Sequence, residues 1–198
     1  MPELVINQHH YPDLTIPTGY QLVVDKRVFR NGQPVHLRRY QPAELPQEAL
    51  NREHVTVISG EDDALISYNA LTSPLSGPLP KEKEAFAAAE RIWQQVAPQY
   101  RKQLSPLRLL TGLTRTYVNA AGQTVTVPVE WAKYMNTVVA GSYEWVGFGP
   151  TGQIIEFERQ NLWDFDTDRQ ETEMWNGDDW ILAHRGLGPQ LPAPWPVA

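Results

Sequence analysis

Residues Lys81 to Ala97, KEKEAFAAAERIWQQVA, limit the choice of fold more than any other stretch of the chain. Phe86, Ala89, Trp93 and Val96 recur at 3,4,3 spacing and share one helical face, which Tyr100 extends and Ala85 and Ile92 widen. Glu82, Lys83, Glu90, Arg91 and Gln94 fall mainly on the other side. Glu82 and Glu84 complement the dipole of the first turn, Pro80 suits a first helical position, and Pro98 ends or kinks the helix. A single amphipathic helix cannot bury its own apolar stripe. A sheet must cover it, and most of the remaining sequence is strand-like.

Hairpin signals follow one another along the chain. Tyr20 to Phe29 and Pro34 to Tyr40 are joined by Asn31-Gly32, where both turn positions tolerate positive φ. His54 to Ser59 and Ala64 to Leu71 flank Gly60-Glu61-Asp62-Asp63. Beyond the helix, Leu107 to Val118 turns at Asn119 to Gly122 into Gln123 to about Met135, and Ser142 to Phe148 turns into Gln153 to Gln160. Val125, Val127, Val129 and Trp131 alternate with polar residues and Pro128, so that strand has one apolar face. Glu156 and Glu158 alternate with Ile155 and Phe157, the pattern of a half-exposed strand. A short helical turn is expected at Pro46 to Leu50 and a last short strand at Asp179 to Arg185. Tight hairpins favour antiparallel pairing, so the expected class is α+β, an antiparallel sheet packed on one main helix at about 81–97. The expected organisation is an extended lead-in (1–19), a first hairpin region (20–78), a helix-plus-sheet region (79–185) and a Pro-rich tail (186–198).

Shifted by 89 residues, HVTVISGEDDALISY (54–68) aligns with YEWVGFGPTGQIIEF (143–157), matching Val57 with Val146 and Gly60 with Gly149. Pro80-Lys81-Glu82-Lys83-Glu84-Ala85, opening an Ala-rich helix, resembles the start of a PepSY (peptidase propeptide) domain. The strand-turn-strand from Glu144 to Ile155 resembles the hairpin that closes one. The resemblance covers about 79–160, with 45–71 as a degenerate first copy, which would give two PepSY-like halves. It implies a helix packed on an antiparallel sheet and a non-catalytic binding or regulatory role, with no catalytic residues to carry over.

Charge and composition exclude several functions. The net charge is -6 without a Lys/Arg run, which argues against nucleic acid as a partner. No cysteine is present, so disulfides, thiolate nucleophiles and zinc-thiolate sites are excluded. No apolar run approaches the roughly 20 residues of a membrane span. The first twenty residues show no signal peptide, so a cytoplasmic location is the default expectation and an extracytoplasmic one applies if a leader has been removed.

Motifs of chemistry are weak. Gly147-x-Gly149-x-x-Gly152 fits the dinucleotide string but leads into a strand instead of a helix. Asp164, Asp166 and Asp168 imitate the opening of a calcium loop, yet Arg169 and Trp175 stand where glycine and glutamate are needed. His9, His10, His36, His54 and His184 show no ligand spacing. No metal, cofactor or catalytic residue is therefore assigned. Glu156/Glu158 would serve glycoside chemistry only if a cleft held them at the right separation.

The most unusual feature is aromatic. Trp131, Trp145, Trp163, Trp175, Trp180 and Trp195 all follow the helix. Six such residues on one sheet-rich half point to a groove or interface. Candidate ligand- or partner-binding residues are Trp145, Trp163, Trp175, Trp180, Asp164 and Asp166. The expected function is a non-enzymatic module binding a protein, peptide or small ligand, with self-association through a strand edge or the Pro-rich tail. The alternatives are a carbohydrate or small-ligand binder using Trp and carboxylate contacts, and an acid–base hydrolase using the 164–173 carboxylates with His184.

Overall fold

The computed structural model describes residues 3–45, 47–74 and 76–198. The chain opens with a hairpin, β1 (Glu3–Ile6) and β2 (His9–Thr15), then forms a four-stranded meander of β3 (Tyr20–Arg30), β4 (Gln33–Pro42), β5 (His54–Gly60) and β6 (Leu65–Leu71). Helix α1 (Glu82–Val96) and one turn, α2 (Pro98–Arg101), lead into a second meander. This consists of β7 (Leu104–Val118), β8 (Thr124–Asn136), β9 (Ser142–Phe148) and β10 (Ile154–Asp164). The two-residue strand β11 (Arg169–Gln170) and a short helix, α3 (Asp178–His184), precede the tail.

Strand accounts for 49% and helix for 15% of the structure, so the class is mainly β and the α+β expectation is overturned. The meanders join edge to edge through antiparallel β6 and β10, giving one sheet of order β3-β4-β5-β6-β10-β9-β8-β7, with β11 added beside β10. One sheet thus runs through both the 20–78 and the 79–185 regions. The main helix does form where its periodicity places it, but 15 residues cover only part of one face of so wide a sheet. The halves are meanders and not a pair of helix-plus-hairpin units. Ahead of the first stands a hairpin, β1–β2, where the second has α1.

Local chemistry accounts for the elements. Asn31 (φ 51°) and Gly32 (φ 70°) make the mirror-image turn that matches strand twist. Asn7 and Gln8 do the same at φ 42° and 71°, a hairpin that the sequence reading took for an extended lead-in because Asn-Gln is a weak turn signal. At the start of α1 the Lys81 N–H donates to Glu84 Oε2 at 2.9 Å, satisfying an otherwise orphaned donor. Asp179 to Arg185, expected as strand, is helical up to His184, with Arg185 as the C-cap. Asp178 and Asp179 occupy the first turn of α3, and Trp180, Ile181 and Ala183 are buried. Of the expected turn at Pro46 to Leu50, Pro46 lies outside the described residues, and 47–50 form no helix.

Side-chain alternation gives the sheet two apolar faces. On one, Ala85, Ala89, Ile92 and Trp93 of α1 pack with Leu4, Ile6, Tyr11 and Leu14 of the N-terminal hairpin against Val57, Tyr68, Tyr134, Val146 and Phe157. Trp93 is fully buried, its ring 4.6 Å from Phe157 and 5.9 Å from Tyr134. On the other, Leu71, Tyr117, Val127, Val129, Trp131, Trp145 and Ile155 form a second cluster, with Trp195 of the tail against it. The C-terminal segment is what covers this second face.

Candidate functional site

Between the second face and the C-terminal segment lies a cavity of about 300 Å³. That is the lower end of the range of roughly 300–1,000 Å³ typical of small-molecule sites. Its floor comes from alternate residues of the sheet, His54 of β5, Asn69 of β6, Trp131 of β8, Trp145 of β9, and Glu156 and Glu158 of β10, joined by Asn161 past a bulge in β10. Their chain neighbours Val55, Ala70, Ala132, Val146 and Phe157 point to the α1 face, so the strand period sends the polar set to the cavity. The roof is Met174, Asn176, Asp178, Trp180, Leu191 and Trp195.

The carboxylates are held by partners from distant strands. Glu156 accepts from Arg115 Nε at 2.6 Å and from Trp145 Nε1 at 3.1 Å. Glu158 accepts from Ser67, from Asn176 and, at 3.3 Å, from Arg30 Nη2. Burial pushes the Glu158 carboxyl up to about 7, against the pull of Arg30 and Ser67 and with some help from Glu156. Asp178 receives both Arg39 Nη1 and Nη2, at 2.6 and 2.8 Å, and the Asn51 N–H at 2.6 Å. Burial opposes its charge, but neighbouring His54 and Arg39 and these hydrogen bonds outweigh it, so its pKa falls. The Arg39–Asp178 pair anchors the start of α3 to β4 and so fixes that part of the roof over the floor.

His54 is buried beside this pair, and its pKa is lowered to about 4, first by burial and then by Arg39, against a weaker pull from Asp178. It is neutral at pH 7. Its Nδ1 lies 2.8 Å from the Arg52 carbonyl, which can only accept, so the proton is assigned to Nδ1. The hydrogens of Arg39 Nη2, 3.0 Å from the same nitrogen, have Asp178 Oδ2 and the Ala49 carbonyl as acceptors. His54 Nε2 is then left with a free lone pair. Asn69 sits near enough to His54 to favour its protonation weakly, without making a well-formed hydrogen bond to Nε2.

Among the described residues, four buried polar atoms of the cavity floor have no hydrogen-bond partner: His54 Nε2, Asn69 Oδ1, Trp131 Nε1 and Asn161 Nδ2. Two accept and two donate. Each such atom costs about 1–3 kcal/mol if left dry. Trp131 and Trp145 stack with ring centroids 4.3 Å apart and planes 14° from parallel, and the Arg115 guanidinium lies 5.3 Å from the Trp131 ring. Gly147 allows this wall to close. A Cβ there would come within 3.0 Å of Glu156 Cβ and 3.1 Å of Trp131 Cδ1.

Of the residues singled out from sequence, Trp145 and Trp180 line the cavity. Trp175 stands outside it, edge-on to Trp180, with its Nε1 donating to the Phe29 carbonyl. Trp163 is half-buried where β10 pairs with Gln170 of β11. Asp164 caps the turn after β10, accepting from the Asp166 N–H and the Thr167 hydroxyl, so Asp164 and Asp166 shape a turn away from the cavity. Glu173 accepts from the Asn31 N–H, while exposed His184 stacks on Trp180. No hydrogen bond joins His184 to the 164–173 carboxylates among the described residues. Nor do any three His, Asp or Glu side chains there form a metal-binding group. The sequence reading missed His54, Asn69 and Asn161 and took Glu156/Glu158 for a half-exposed pair, whereas both are buried at 2% exposure. No helix is long and apolar enough to cross a membrane among the described residues.

No protein-family model matches the chain, and no curated protein and no solved structure matches it either.

Proposed function

We propose that the protein binds a small, neutral, hydroxyl-rich ligand of carbohydrate type in this cavity and carries out no chemistry on it. The observation that carries the proposal is the mixed set of free hydrogen-bonding atoms, two acceptors and two donors, on a floor shared with a Trp pair. A hydroxyl both donates and accepts, so one ring bearing several hydroxyls satisfies both kinds, whereas an anion or a cation satisfies only one. The apolar faces of such a ring suit indole walls.

Charge supports neutrality of the ligand. Glu156, Glu158 and Asp178 each face an arginine, namely Arg115, Arg30 and Arg39. Both oxygens of Glu156 and of Glu158 already accept hydrogen bonds, so these carboxylates serve as frame and not as acid–base catalysts. The PepSY-like features at Pro80–Ala85 and in the Glu144–Ile155 hairpin point the same way, because that resemblance implies binding without catalysis.

Titration with a panel of neutral mono- and disaccharides, followed by near-UV circular dichroism and calorimetry, tests the proposal. The stacked Trp131–Trp145 pair is the reporter. Binding should weaken at least about tenfold in Asn69→Leu and in Trp131→Phe, each of which removes one free polar atom. Wild-type affinity in both variants, or no response to any neutral sugar alongside a response to charged ligands, overturns the proposal.

A further inference from the structure

The cavity is partly open where exposed Thr114 and Thr116 of β7 line it, and its walls are not equally fixed. Sheet ladders hold the floor. The roof from Thr172 to Asp178 is tied by the Thr172 hydroxyl to β10, by Asn176 to Glu158 and by the buried Arg39–Asp178 pair. The last stretch, 187–198, is different. It has no helix or strand, it follows Gly186 at φ 68°, and Leu187 is 71% exposed. Within itself it is closed by reciprocal bonds between Gln190 and Ala198, at 2.9 and 3.3 Å. Its polar attachments to the body are few, and the first, at the hinge end, is the Leu187 N–H donating to the Leu182 carbonyl of α3 at 2.8 Å. The Gln170 N–H donates to the Pro194 carbonyl at 2.9 Å, and Trp180 Nε1 donates to Val197 at 3.3 Å. Arg169 Nη1 donates to the Trp195 and Leu191 carbonyls at 2.9 and 3.4 Å. Yet this strap supplies two walls of the cavity, Leu191 and Trp195.

We infer that the 187–198 strap is the gate of the cavity, swinging as one unit about Gly186, and that Arg169 is the positioning residue that latches it. This rests on the reading of the cavity as a ligand site. A latch suits arginine here because one guanidinium nitrogen reaches two carbonyls of the strap, so a single side chain fixes both the Leu191 and the Trp195 ends of the wall. Segments held by few contacts open locally at free energies well below that of global unfolding, and Trp195, riding on the strap, would leave the site when the strap opens.

Amide exchange by NMR on the intact chain tests this without any ligand. The Gln170 N–H and the Trp180 indole N–H report directly, since each is bonded to the strap. Both should exchange together, at least about tenfold faster than the slowest amides of β9. Arg169→Ala should speed both by about tenfold or more while leaving β9 unmoved, and Arg169→Lys should restore part of the protection. Quenching of the buried indole emission by acrylamide should rise in Arg169→Ala. If both reporters exchange only with the core, or if Arg169→Ala shifts every amide alike or none, the strap is not a gate. A moving strap together with no response to neutral sugars would retain the gate and reject the ligand class.

Discussion

Glu158 and His54 face the same cavity and titrate in the same pH window with opposite signs, which makes the pH dependence of stability a sharp probe of the site. Glu158 rises from its ordinary 4.5 to about 7 in the folded protein. A raised carboxyl contributes stability that is fully present below pH 4.5 and is lost as pH rises through 7. At 1.36 kcal/mol per unit, the loss between pH 4.5 and 7.5 is about 3 kcal/mol. His54 falls from 6.5 to about 4, so the unfolded chain takes up a proton first and stability drops as pH falls from 7 towards 4. That loss is about 2.5 kcal/mol over the same interval. The two slopes nearly cancel in the wild type. Glu158→Gln should therefore unmask the histidine, and its stability should fall on acidification by about 2–3 kcal/mol more than that of the wild type. His54→Gln should unmask the glutamate, and its stability should rise on acidification relative to the wild type. Gln is a neutral isostere of the carboxyl that is protonated over most of this window, but it changes the hydrogen bonds to Ser67, Asn176 and Arg30, so the slope and not the offset is the readout. Urea titrations at half-unit steps from pH 4.5 to 7.5 measure both. If either variant tracks the wild-type profile at constant offset, the corresponding group does not change its proton between folded and unfolded states, and the electrostatic account of the cavity is wrong.

Two further substitutions test how the site is built. Gly147→Ala places a methyl within 3.0 Å of Glu156 Cβ and 3.1 Å of Trp131 Cδ1, so it should destabilise by about 1–3 kcal/mol in chemical denaturation and weaken the near-UV signal of the stacked Trp pair. Asp178→Ala strands the buried Arg39 guanidinium and should cost roughly 3–5 kcal/mol, with proteolysis of the C-terminal segment accelerating before the sheet unfolds.

Much of the architecture was legible locally, because hairpins and helices announce themselves over a few residues. Asn31-Gly32 marked a turn, the 3,4,3 spacing marked α1, and the 89-residue offset aligned β5–β6 with β9–β10, which are the equivalent inner hairpins of the two meanders. The balance between sheet and helix was not legible. One conspicuous helix drew the reading towards α+β, although nine expected strands already outweighed it. The site was hidden for a different reason. Glu156 and Glu158, alternating with Ile155 and Phe157, look like the wet side of a half-exposed strand. What buries them is a roof from the far end of the chain and arginines from distant strands: Arg30 lies 128 residues from Glu158, and Arg115 lies 41 from Glu156. Local pattern cannot show whether a polar face meets water or a second layer. Yet the second layer is what turns that face into a candidate site. Under the roof the carboxylates meet arginines, while four further polar atoms, His54 Nε2, Asn69 Oδ1, Trp131 Nε1 and Asn161 Nδ2, carry a free-energy penalty unless water or the ligand proposed above meets them.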